Sequence, residues 1–163
     1  MSVDALRYAV RHSCWANLRL IEFCASLTAE QLAWTVPGTY GSIHHTVNHI
    51  VGAEQGYLFR LTGEMPRPPM PPDAPLPVKE ILERERLVNE RCEALLSGPL
   101  EVGRMLRVPG RRPATAGIVI AQLVHHGSDH RAQVGTILGA KGATGPDLDV
   151  WAYGVQIGEV TAS

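Results

Sequence analysis

The sequence predicts an all-α protein, a four-helix bundle with one long crossover, and three observations carry that prediction. Four separate stretches place apolar residues at three- and four-residue intervals, the period of a helix that buries one side. The segment from Thr62 to Pro77 holds seven prolines and no periodicity, so it is a connection long enough to travel along a bundle. The 163 residues, 45% of them apolar, suit one core and are too few for two, which makes residues 1–163 a single domain.

Taken in order, the first helix is expected from Asp4 to about Leu27. Its inward positions are Leu6, Val10, Trp15, Leu18, Ile21 and Phe23 or Cys24, with Ser2 or Asp4 available as the cap. Thr28 followed by Gln31 has the form of a capping box and opens a short turn through Trp34. VPGTYGS, from Val36 to Ser42, is a loop.

Ser42 then caps a second helix running to about Leu61, with Ile43, Val47, Ile50, Leu58 and Leu61 on its apolar side. A different face, roughly 100° away, carries His45, His49, Gly52, Ala53 and Gly56. Small residues there suit a cleft wall or a semi-exposed flank. After the proline-rich crossover, helices two and three need not be antiparallel neighbours. The third helix runs from about Val78 to Leu96, with Ile81, Leu82, Leu87 or Val88, Cys92 and Leu95 inward and Glu83, Arg84, Arg86 and Glu90 outward. SGPL, from Ser97 to Leu100, stops it. Residues 101–113 read as a small hairpin or an extended arm. The fourth helix spans about Ala114 to Ala140 and ends at Lys141 and Gly142. The tail supplies one short helix or an irregular cover around Trp151 and Tyr153.

Composition excludes several functions. With 15 basic and 16 acidic residues the chain lacks the charge of a broad nucleic-acid surface. Cys14, Cys24 and Cys92 are odd in number and form no CxxC pattern, as expected of reduced thiols in a cytosolic protein. The N-terminal MSVDALRYAVRHS is too polar for a signal peptide, and apolar runs such as AGIVIAQLV fall short of a membrane span. A soluble, cytoplasmic protein is expected.

The chemistry concentrates in Gln122 to Gln133, QLVHHGSDHRAQ. His126 and His130 stand four residues apart, so a helix stacks them on one face. A wheel centred on His126 surrounds them with Ile118, Val119, Leu123, Val134 and Ile137, which turns the pair inward. Imidazoles in an apolar interior repel when charged and need partners when neutral, and a divalent ion resolves both. His45 and His49 repeat the spacing in the second helix. Chance placement of seven histidines gives about a quarter of one such pair, against the two present. Neutral imidazole suits zinc, nickel or iron, and three such ligands leave positions for water or substrate. The competing reading is packing, with each ring satisfied by backbone carbonyls. Gln122 and Gln133 flank the pair and could orient the imidazoles or a metal-bound water.

Trp15-x-Asn17, GSIHHTVNHIVGAE from Gly41 to Glu54, and HGSDHRAQ from His126 to Gln133 together resemble the DinB/YfiT-like superfamily over nearly the whole chain. That resemblance implies a bundle in up-down-down-up order, commonly dimeric. It also implies a divalent metal, zinc or nickel foremost, held by three histidines that map onto His49, His126 and His130. Ala132 stands where the family often has glycine after the motif arginine, and His44, His45 and His125 lie outside the triad. His45, one turn from His49, is assigned to packing or to the surroundings of the metal. Trp15, Asn17 and Glu54 are assigned structural roles.

The implied activity is a metal-dependent transferase that activates a low-molecular-weight thiol, such as bacillithiol, mycothiol or glutathione, for attack on an electrophile. Water replaces the thiol in a hydrolase variant. No catalytic side chain is assigned. The alternative is a non-catalytic stress-response protein braced by its metal. The expected partners are a small-molecule substrate and a second copy of the chain, with no nucleic acid and no membrane.

Overall fold

The computed structural model describes residues 5–65, 67–71 and 74–161. In chain order the elements are α1 (Ala5–Cys24), α2 (Ala29–Leu32), α3 (Ile43–Thr62), α4 (Val78–Ser97), β1 (Met105–Leu106), β2 (Ala114–Thr115), α5 (Ala116–Ala140) and α6 (Val150–Gln156). The two proposed caps of the first helix, Ser2 and Asp4, lie outside the described residues. No helix among the described residues is long and apolar enough to cross a membrane.

Local signals set the helix ends. At α2 the Thr28 hydroxyl accepts from Gln31 N while the Gln31 side chain accepts from Thr28 N, which completes a capping box. The Ser42 hydroxyl accepts from His45 N and opens α3. Gly63, at φ 79°, follows α3 in the left-handed region that glycine enters without strain. Residues 101–113 resolve as the hairpin alternative, closing with Met105 opposite Thr115 and Leu106 opposite Ala114.

Side-chain contacts fix the helix directions. Arg11 near the start of α1 meets Glu93 near the end of α4, and Glu22 near the end of α1 meets Arg86, so α1 and α4 are antiparallel. Asn48 donates to Pro71 O and accepts from Leu76 N, while His44 contacts Leu76 O, so the crossover returns to the start of α3 before α4 begins. Arg91 of α4 pairs with Glu64 just past α3, and these two helices therefore run parallel. Gln122 reaches Tyr57 and Gln133 reaches Tyr40, so α5 runs opposite to α3. The order is up-down-down-up. In the ring, α1 packs on α4 and α5, and α3 on the same two, leaving α1 and α3 as a diagonal pair.

The buried arcs differ from several expectations. On α1 the inward positions include Ser13, Ala16, Asn17 and Leu20, whereas Trp15 and Leu18 are only half-buried. A helix wedged between two others buries a wide arc, and here that arc includes polar groups. Trp15 instead packs against Tyr153 of α6, with ring centroids 5.5 Å apart and planes tilted by 50°. Arg84 is buried rather than outward, because the crossover passes over it and its guanidinium donates to Pro68 O at 2.7 Å. Leu96, not Leu95, is the fully buried leucine that ends α4. Ile118 is 64% exposed. At 100° per residue the buried arc of α5 centres about 80° from His126, so His126 sits at its margin and Ile118 beyond it. Trp151 is 72% exposed and covers nothing, while Tyr153 two residues on is buried.

Candidate metal centre

Three imidazoles meet where α3 and α5 cross. His49 comes from α3, and His126 and His130 come from successive turns of α5. One nitrogen from each lies within 4.8 Å of the others. His126 Nε2 and His49 Nε2 are 3.0 Å apart. The ring centroids stand 4.8 Å apart for His49 with either partner and 4.4 Å for His126 with His130.

The neighbours decide which nitrogen faces the cluster. His130 Nδ1 lies 3.1 Å from Gln133 Oε1. That carboxamide is oriented from its other end, since its Nε2 donates to Asp129 Oδ2 at 3.2 Å and its Oε1 also receives Tyr40 N at 2.9 Å. An oxygen only accepts, so His130 carries its proton on Nδ1 and turns the Nε2 lone pair inward. Tyr40 stacks on His49 at 4.1 Å with planes 18° apart, and meets His130 edge-on at 5.2 Å. Tyr57 meets His126 edge-on at 5.7 Å.

Electrostatics favours the uncharged forms of His126 and His49. Burial, with the repulsion of His130 and His49, pushes His126 down to about 4, and burial with His130 lowers His49. Uncharged imidazoles are the form that ligates a cation. His126 Nδ1 is buried with no partner among the described residues, and His126 Nε2 and His49 Nε2 stand 3.0 Å apart. The donor set therefore fits a divalent ion shared by three nitrogens. A packing cluster with every ring satisfied would leave no such nitrogen as His126 Nδ1.

The other predicted residues fall outside this cluster. His45 is exposed and its ring turns back to Ser42, with Nδ1 3.3 Å from Oγ. His44 faces the crossover through Leu76 O. His125 is exposed. Gln122 is exposed and reaches Tyr57 at 3.4 Å rather than an imidazole, so of the two glutamines only Gln133 orients a ring. The Gly52, Ala53 and Gly56 face lines a cleft of about 510 Å³ beside His49, which selects the cleft-wall alternative.

Directly behind the histidines lies a buried polar network. Arg131, the residue after His130, donates to Asn17 Oδ1 at 2.6 Å and to Ser13 Oγ at 3.3 Å. Asn17 Nδ2 donates to Glu54 Oε1 at 2.7 Å. Beyond it Glu85 of α4 accepts from Asn89 Nδ2 at 2.9 Å. Both glutamates are fully buried, and burial raises Glu54 to about 7; burial and the charge of Glu54 raise Glu85 as well. One arginine cannot balance two buried carboxylates, so the pair retains a proton at neutral pH. Gly127 lets α1 approach at this level, since a Cβ there would lie 2.8 Å from the Arg131 guanidinium and 2.9 Å from Ser13 Oγ. Sequence spacing signals none of these long-range pairings. Tyr40 and Tyr57 were likewise missed, although Tyr40 lies in the glycine-containing loop that leads into α3.

A family model described as the DinB superfamily matches residues 14–134, from α1 into the second histidine turn of α5. The crystal structure of a DinB-like protein from Bacillus cereus ATCC 10987 superposes with a TM-score of 0.64, at 22% identity, covering 89% of this chain and 96% of that one. At that identity the likeness concerns the fold. A search of curated proteins gave no match.

Proposed function

We propose that this chain, which belongs to the DinB superfamily, holds one divalent ion through His49, His126 and His130 and uses it to activate a small thiol, or water, for attack on an electrophile. The observation that carries the reading is the convergence of three imidazoles at the edge of an open cleft, with His49 belonging to both. Zinc or nickel suits an all-imidazole set. When bound, such an ion lowers the pKa of a thiol or water in its remaining position towards neutrality.

The chain's own residues prepare that step. Burial keeps His49 and His126 uncharged. Gln133 holds the proton of His130 on Nδ1 and so aims Nε2. Tyr40 covers one side of His49, and the Gly52 and Gly56 side remains for a substrate. No cysteine is placed to act as a nucleophile: all three are buried, and Cys14 and Cys24 are both pushed up, Cys24 to about 12.

A second reading, an ion that braces the bundle without chemistry, draws on the fact that the ligands come from two helices. Metal analysis of tag-free protein, paired with thiol conjugation of a chromogenic electrophile, separates the readings. About one ion per chain is expected, with conjugation faster in holo-protein, and His126→Ala should abolish both. His45→Ala should retain both, since His45 faces Ser42. Metal uptake that stabilises the fold without any rate would leave the brace. No metal uptake would end both readings.

A further inference from the structure

Three imidazoles share one ion only if each ring plane is set, and the torsion that turns a histidine ring is broad. His130 takes its setting from Gln133. His126 is enclosed, with a buried Nδ1 and Tyr57 edge-on to its ring. His49 has neither device. Its Nε2 faces His126, and its Nδ1 has no hydrogen bond among the described residues. Histidines that ligate a metal usually have that second nitrogen held. What His49 has instead is Tyr40, whose ring lies against it at 4.1 Å with planes 18° apart.

Tyr40 reaches that position from a loop braced by its own hydrogen bonds. Ile43 N donates to Trp34 O at 3.0 Å, which closes residues 34–43 on themselves. Within the loop the Thr39 hydroxyl donates to Val36 O at 2.9 Å, and the Thr35 hydroxyl donates to Gly41 O at 3.2 Å. Tyr40 itself is 48% exposed, so burial in the core does not explain where its ring lies. Its peptide N–H is anchored on Gln133 Oε1 at 2.9 Å, the oxygen that also takes the proton of His130 Nδ1. A carboxamide oxygen has two lone pairs, and here they serve two histidines. His130 is served directly, and His49 through Tyr40.

We propose that Tyr40 is the positioning residue of His49: its ring fixes the imidazole plane by stacking, and its backbone ties that setting to His130 through Gln133. What the set ring serves rests on the metal reading above, whereas the stack itself does not. The part that matters is the flat face, since two near-parallel rings at 4.1 Å restrict rotation of the imidazole. A leucine has no such face. The phenol hydroxyl has no part in this role, so phenylalanine serves as well.

Two measurements on the tag-free full chain test it, comparing wild type with Tyr40→Phe and Tyr40→Leu. The first is zinc affinity by competition with a chromophoric chelator. Tyr40→Phe should stay within about twofold of wild type, and Tyr40→Leu should lose about tenfold. Because Tyr40 is exposed, the three apo-proteins should melt together. Gln133→Leu releases the Tyr40 backbone as well as His130, so adding Tyr40→Leu to it should cost less than Tyr40→Leu costs alone. The second measurement needs no metal. The carbon-bound ring protons of His49 lie against the Tyr40 face, so their proton resonances in apo-protein should be shifted upfield. That shift should persist in Tyr40→Phe and vanish in Tyr40→Leu. Leucine matching phenylalanine in zinc affinity, or a His49 shift that survives Tyr40→Leu, overturns the proposal. A double variant that loses the full product of the two single effects overturns the tie through Gln133. Wild type that takes up no zinc ends the metal reading alone, and the His49 resonances then decide the stack by themselves.

Discussion

Asn17 joins two oppositely charged groups through one side chain: its Oδ1 receives Arg131 at 2.6 Å and its Nδ2 donates to Glu54 Oε1 at 2.7 Å. A single carboxamide thus ties α1 to α3 and α5, immediately behind His130.

Removing that link should be costly. Asn17→Ala leaves a guanidinium and a carboxylate buried without their shared partner, and a loss of about 3 kcal/mol is expected. Urea unfolding of apo-protein measures it. A loss below about 1 kcal/mol would mean that Arg131 and Glu54 satisfy each other without Asn17.

The glutamate pair gives a pH signature of definite sign. Burial raises Glu54 from 4.5 to about 7 and raises Glu85 too, so the folded state holds protons that the unfolded chain releases. Their contribution is favourable at low pH and is lost as pH rises from about 4.5 through 7. His126, lowered to about 4, contributes oppositely, with stability lost as pH falls from 6.5 towards 4. The two slopes oppose each other in wild type. Glu85→Gln removes the carboxyl and supplies an amide donor towards the unpartnered oxygen of Glu54. At pH 8 the variant should be more stable than wild type by roughly 1–3 kcal/mol, and the gap should close near pH 5. A gap that does not vary with pH would mean that the pair is ionised throughout.

Two glycines of α5 should respond in opposite directions. A Cβ at Gly135 would meet nothing within 4 Å, so Gly135→Ala should stabilise by about 0.5–1 kcal/mol through helix propensity alone. Gly127→Ala would push into Arg131, Ser13 and Asn17 and should destabilise by about 1–3 kcal/mol. Thermal melts of the two variants side by side check this, and a shared sign would show that α1 yields at Gly127.

Gln133 offers a test of metal affinity that spares every proposed ligand. Gln133→Leu frees the His130 ring and its tautomer, and the affinity for zinc should fall about 10- to 100-fold. Competition against a chromophoric chelator reads this directly. Unchanged affinity would mean that packing by Tyr40 alone orients His130.

Much of the fold was legible because its signals are local. Thr28 with Gln31, Ser42 before α3, and the apolar stripe from Ile43 to Leu61 each act within a few residues. The convergence of His49 with His126 and His130 was legible through the family resemblance, and the small-residue face of α3 through its spacing. What escaped depended on distant chain. Arg84 is buried only because Pro68 crosses above it, and Asn17 finds Arg131 from 114 residues away. Ile118 was misplaced because a wheel centred on His126 assumes the histidine marks the middle of the buried arc, when it marks the edge.

The ring order carries a consequence for how the chain assembles. α1 and α3, joined by the connection that carries α2, face each other only across the diagonal, and α1 packs chiefly on α4 and α5. The first two long helices therefore have no helical hairpin to close, and their apolar faces wait for partners encoded later. Folding must proceed through contacts of large sequence separation, which slows it relative to an up-and-down bundle of the same length. On a ribosome the emerging N-terminal half would expose its apolar stripes until α5 is synthesised, a window in which chaperone contact matters more than for a sequentially packed bundle.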